Sequence, residues 1–77
     1  MATLAEIAVK HRATIVEIHG DDEISLRLME MGLMEGDVVE VIGTAPMGDP
    51  IEIATRGSRL SLRRSEAMRV QVLPEMS

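Results

Sequence analysis

Val39-Glu40-Val41, then Ala45-Pro46-Met47-Gly48-Asp49-Pro50, then Ile51-Glu52-Ile53 is the stretch that decides the fold. Val39 and Val41 point one way and Glu40 the other, the period of two that marks a strand with one dry face; the strand spans Asp37 to Thr44. Two prolines and a glycine within six residues make the next segment a turn-rich loop, after which Ile51-Glu52-Ile53 resumes the alternation. Outward toward the C-terminus, Arg56-Gly57-Ser58-Arg59 turns and Leu60-Ser61-Leu62-Arg63 alternates again. Ser65-Glu66-Ala67 is long enough for a single helical turn, and Val70-Gln71-Val72 closes the domain before Leu73-Pro74. Toward the N-terminus, Gly36 marks a turn, and Ala13 to His19, rich in β-branched residues, is a further strand ending at Gly20.

Between those two strands lies the best helix signal. Asp21-Asp22-Glu23 offers an aspartate to cap the first turn and acids for the positive end of the helix dipole. Ile24, Leu28 and Met31 fall on one stripe, and Gly32 is a natural left-handed terminator, so the helix runs from Asp22 to Met31. Leu26 and Met29 lie off that stripe. At the start of the chain, Thr3-Leu4-Ala5-Glu6 has capping-box spacing, with Leu4 and Ile7 facing inward from a short helical turn. One short helix and five short strands predict a mainly β fold, a small five-stranded barrel, since so small an open sheet would leave exposed edges.

Composition narrows the function. Seventy-seven residues make one small domain (core about 3–73) that buries only about 60–65% of the surface its unfolded chain exposes. With no cysteine, thiolate metal sites, disulfides and cysteine nucleophiles are all excluded, which fits a reducing cytoplasm. With no Phe, Trp or Tyr there is no base-stacking platform, and a net charge of −5 is the wrong sign for a duplex-binding surface, so no nucleic-acid partner is expected. The longest stretch without Asp, Glu, Lys or Arg is the eight residues Val41 to Gly48, against roughly 20 for a membrane span. A soluble, cytoplasmic chain with no direct membrane insertion is expected. The charge is uneven: Glu17 to Glu40 holds eight acids and only Arg27, a sum of −7, whereas Arg56 to Arg69 holds five arginines and only Glu66, a sum of +4. The two runs either neutralise each other on the folded surface or form a polar docking face.

Catalytic and cofactor motifs are incomplete. Gly43 and Gly48 have P-loop spacing, but Asp49-Pro50 stands where Lys and Ser/Thr would hold phosphate and magnesium. An EF-hand opening at Asp21 would place Leu26 and Gly32 where Gly and Glu are needed. His11 and His19 are the only imidazoles and lack His-x-x-x-His spacing; with Asp21 they are the weak candidates for a divalent metal. Met29, Met31 and Met34 resemble a thioether set for a soft metal, although Met31 is needed on the core stripe. Of the five serines, Ser25, Ser58, Ser61, Ser65 and Ser77, none sits in a Gly-x-Ser-x-Gly elbow. The expectation is a protein with no catalytic residue and no cofactor.

Taken together, Arg27-Leu28-Met29-Glu30-Met31-Gly32-Leu33, Gly36, Val39-Glu40-Val41, the run from Ala45 to Ile53, Arg56-Gly57, and Leu60-Ser61-Leu62-Arg63-Arg64 with Ala67 resemble the ferrous iron transport protein A (FeoA) family. The likeness extends from about Thr3 to Val72. It implies an SH3-like barrel with a helix inserted after the first strand, and a small cytosolic accessory protein of ferrous iron uptake. Its implied partner is the membrane iron transporter, through that protein's cytoplasmic GTP-binding portion; no catalytic activity or obligate cofactor is implied. Where family members carry a Lys-Pro-Gly turn, Val9-Lys10-His11-Arg12 stands here, so that turn must differ; Glu35-Gly36 replaces a Pro-Gly, where Gly36 still permits a positive-φ turn without proline's pre-organisation. Leu26 sits where the family usually has a charged residue.

The partner contact is therefore expected on the helix, with Leu26 and Met29 as anchors and Arg27 and Glu30 on the rim. The alternative for Leu26 and Met29 is that they cover the barrel end or join two copies of the chain. Two other functional readings stay open. One is a carrier or sensor binding ferrous or another divalent ion through His11, His19 and nearby acids. The other is a self-associating regulatory domain, as in metal-dependent repressors, working as a homo-oligomer.

Overall fold

The computed structural model describes residues 2–20 and 22–75. Six strands form one sheet: β1 (Ala2–Thr3), β2 (Arg12–Ile18), β3 (Val38–Thr44), β4 (Ile51–Thr55), β5 (Ser58–Leu62) and β6 (Val70–Pro74). Their order is β1-β6-β2-β3-β4-β5, with every neighbouring pair antiparallel. A 3-10 turn at Leu4–Glu6 follows β1, helix α1 (Glu23–Glu30) joins β2 to β3, and the single-turn helix α2 (Arg64–Ala67) joins β5 to β6. The fold is mainly β with one inserted helix, as the alternation predicts. The sixth strand is β1: two residues show no periodicity, so only pairing with β6, Ala2 to Val72 and Thr3 to Gln71, defines it. Among the described residues no ladder joins β1 to β5. The brevity of β1 and the charged Arg59 of β5 are usual ways of blunting such edges.

Alternation sets what is buried. Ala13 and Ile15 of β2, Val39 and Val41 of β3, Ile51 and Ile53 of β4, Leu62 of β5, and Val70 and Val72 of β6 meet in one aliphatic core, completed by Leu4, Leu28, Leu33 and Ala67. Two bulges interrupt the period, one between Ile15 and Glu17 against β6 and one between Val41 and Gly43 against β4. Each adds a residue on one strand and bends it, which lets short strands wrap a core this thin.

Turns follow from local conformation. The β4–β5 hairpin has only Arg56 and Gly57 between its last pair, Thr55 and Ser58, and both take positive φ (53° and 79°), the pattern of a type I′ turn matched to strand twist. In the Val9–Arg12 turn, which lacks a glycine, Lys10 itself takes the left-handed position at φ 74°. The capping-box expectation at the N-terminus appears as the Thr3 amide donating to Glu6 Oε2 at 2.8 Å.

Candidate functional site

Helix α1 is pinned at its start by Asp22. The Asp22 side chain accepts from the Ser25 amide at 3.3 Å, and the Ser25 hydroxyl donates to the Asp22 carbonyl at 3.1 Å. Across the fold, Arg69 Nη1 donates to both carboxylate oxygens of Asp22, at 2.7 and 2.8 Å. The Arg69 hydrogen bond, with the Ser25 amide second, holds the Asp22 carboxyl below its ordinary value of 3.8. Gly20 makes room for this pair: a Cβ there would meet Arg69 Nη1 at 2.7 Å, and its φ of +95° disfavours any side chain.

The helix ends in a Schellman motif. The Leu33 amide donates to the Leu28 carbonyl (3.2 Å) and the Gly32 amide to the Met29 carbonyl (3.0 Å), with Gly32 at φ +100°. Leu33 and Leu28 are both fully buried, the apolar contact that accompanies this cap. Turning Leu33 inward leaves Met34 outside. The Met34 amide is held by Asp37 Oδ2 at 3.1 Å, and Gly36, at φ +91°, donates its amide to the Ile15 carbonyl.

The flank of α1 is tied to α2. Arg27 Nη1 lies 3.0 Å from Glu66 Oε2, and Glu66 Oε1 accepts from the Arg63 amide at 2.8 Å. Glu66, only 3% exposed, thus caps α2 and anchors α1. The lone acid in the arginine-rich run, three residues after Arg63, was the legible signal for this role. Arg27 is thus tied to α2 while its side chain stays 61% exposed.

These contacts show how far the two charge runs meet on the folded surface. Arg69–Asp22, Arg56–Asp37 (3.2 Å) and Arg27–Glu66 each join the acidic run to the basic run. Two of the eight acids in the first run, Asp22 and Asp37, are thus neutralised by arginines of the second, whereas Arg27–Glu66 pairs the minority charge of each run. Glu23, Glu30, Glu35 and Glu40 form no ion pair among the described residues.

The outer face of α1 is apolar. At 3.6 residues per turn, Leu26 points about 160° away from Leu28. Leu26 is 56% exposed and Met29 50%, so neither closes the core; Ile24 and Met31 pack against it instead. Met29 continues into a shallow groove of about 520 Å³ lined by Ile18, Met29, Leu33, Met34 and Glu35. Glu30 is exposed beside Leu26. The three methionines are therefore split, with Met31 toward the core and Met29 and Met34 in the groove.

The two histidine candidates do not converge. His11 precedes β2 and His19 follows it, so the seven residues of that strand lie between them, a span of up to about 25 Å when extended. The His19 ring lies between Gln71 Oε1 (2.9 Å) and Glu17 Oε2 (3.3 Å), while His11 lines a hollow with Lys10, Arg12 and Glu75. Asp21 lies outside the described residues. Among the described residues no group of three His, Asp or Glu side chains is placed to hold an ion.

Known proteins place this geometry. The model of the FeoA domain matches residues 2–74, nearly the whole chain. The chain belongs to the FeoA family. A FeoA-like protein from Clostridium acetobutylicum, solved by NMR, shares 35% identity over 97% of this chain and 87% of its own, with a TM-score of 0.91. FeoA from Stenotrophomonas maltophilia, solved with zinc and described as a prokaryotic SH3-domain protein, shares 33% identity over 94% of this chain and 89% of its own, with a TM-score of 0.76. The FeoA architecture here is thus SH3-like. A fusion of Fe(2+) transport protein A with the Fe(2+) transporter FeoB, from Porphyromonas gingivalis, is 32% identical over 69 residues; these are 90% of this chain but 8% of the fusion. Among the described residues, no helix of this FeoA-family chain is long and apolar enough to cross a membrane.

Proposed function

We propose that this chain is a cytoplasmic accessory protein of ferrous iron uptake that binds the membrane iron transporter at its GTP-binding portion and does no chemistry itself. The observation that carries this reading is the fusion relative, in which a FeoA segment similar to this chain is covalently joined to the transporter FeoB. Segments joined in one polypeptide meet at a high effective concentration, which favours partners that act together. The surface supports a binding role: Leu26 and Met29 are half exposed on the part of the helix that faces away from the core. Leu26 and Met29 are the anchors, Arg27 and Glu30 are on the rim, and the Arg27–Glu66 pair ties the helix to α2. Docking biases the transporter's nucleotide cycle only by the difference in affinity for its states.

Leu26→Asp tests this reading. The variant is expected to keep its thermal midpoint and circular dichroism while losing binding to the transporter's cytoplasmic GTP-binding portion. Unchanged binding by a folded Leu26→Asp protein would remove α1 from the contact.

A further inference from the structure

The outer face of α1 and the groove beside it form one continuous surface, and its chemistry specifies its occupant. Leu26 and Met29, three residues apart, are neighbours on the helix, and Met29 leads into the floor formed by Ile18 and Leu33. Met34, 54% exposed, closes the far side. Two methionines without fixed polar contacts suit a surface that adapts to an apolar ridge. The border is acidic: Glu30 follows Met29 on the helix and Glu35 follows Met34 on the loop, neither balanced by a described cation. The nearest basic side chain on the helix, Arg27, is committed to Glu66. A second copy of the chain would bring another −5 to this surface and be repelled at long range, whereas a basic segment would be drawn to it.

We propose that the groove between the end of α1 and the Leu33–Glu35 segment receives an amphipathic helix whose apolar ridge is flanked by Lys or Arg. The proposal rests on α1 being the partner-facing helix and adds the partner segment's chemistry. The apolar ridge enters between Met29 and Met34, and its flanking cations meet Glu30 and Glu35.

The probe is a pair of labelled 14-residue peptides with the same i, i+3, i+4 leucine pattern, one filled with Lys and one with Glu, titrated by fluorescence anisotropy. The Leu/Lys peptide is expected to bind about tenfold tighter, the sum of a few modest surface ion pairs. That preference disappears in about 1 M salt, where charges are screened beyond roughly 3 Å. Glu30→Lys with Glu35→Lys reverses the preference, whereas Glu52→Lys with Glu75→Lys, an equal charge change elsewhere, retains it. Met34→Asp weakens both peptides about tenfold with an unchanged thermal midpoint, as loss of one well-seated apolar contact. Equal binding of the two peptides, or no effect of Met34→Asp, overturns the proposal; so does a dimer in light scattering that Met34→Asp dissolves, which would put a second copy in the groove. If these groove tests fail while Leu26→Asp still abolishes transporter binding, the groove is wrong and the docking reading stands.

Discussion

The inner and outer faces of α1 share eight residues of backbone and have opposite fates. On the inside, Leu28 is fully buried, Ser25 is buried and bonded to the cap, and Leu33 folds under the helix end. On the outside, Leu26 is 56% exposed, although the two leucines are chemically identical and two positions apart. Burial is a property of position, and a side chain that the core does not use is available for something else. The ties that hold the helix in this orientation are polar and peripheral: Asp22 to Arg69 at its start and Arg27 to Glu66 on its flank.

The sharpest way to break this comparison is to truncate both leucines. Leu28→Ala is expected to lower stability by about 2–5 kcal/mol, a large share of the roughly 4–11 kcal/mol available to a domain of this size. Leu26→Ala should stay within about 0.5 kcal/mol of the parent. Urea unfolding measures both, and equal losses would mean that Leu26 is a core residue.

A smaller effect is expected at the flank. Glu66→Ala strands the Arg63 amide and releases Arg27, at a cost of about 1–3 kcal/mol. Glu66→Gln, which can still accept from the amide, should lose less. If Glu66→Ala also weakens transporter binding beyond its effect on folding, orientation of α1 matters to the contact as well as its exposed side chains.

The smallest effect concerns pH. Because the Asp22 carboxyl titrates below 3.8 in the folded state, its interactions with Arg69 and Ser25 stabilise the protein fully above that value. They are lost as the pH falls through the depressed folded value. Asp22→Asn, which keeps a capping oxygen but not the charge, should therefore show a shallower decline of the urea midpoint between pH 5 and pH 2. An identical acid limb in parent and variant would show that other carboxylates dominate it.

Much of this was legible from the residues. Alternation at Val39-Glu40-Val41 and Ile51-Glu52-Ile53, the Ile24–Leu28–Met31 stripe and the glycine after it place the strands, the helix and its end, because each depends on neighbours within a few residues. The FeoA likeness and the absence of cysteine and aromatic side chains likewise belong to the chain as written. The two-residue β1 was not legible, since only its partner β6 makes it a strand. Nor were the specific ion pairs: the sequence offers a −7 run and a +4 run, and only folding selects Asp22 for Arg69, Asp37 for Arg56 and Glu66 for Arg27.

The candidate site divides along the same line. Leu26 and Met29 stand out because they miss the helical stripe, a local fact. The groove they lead into depends on Ile18 from β2 and Met34 from the far side of the helix cap, brought together by tertiary packing alone. The separation of His11 from His19 is likewise decided by the extended strand between them. Periodicity, capping and composition are short-range and can be read along the chain. Which surface is left uncovered, and which charges remain unpaired upon it, depends on long-range contacts, and those exist only once the chain has folded.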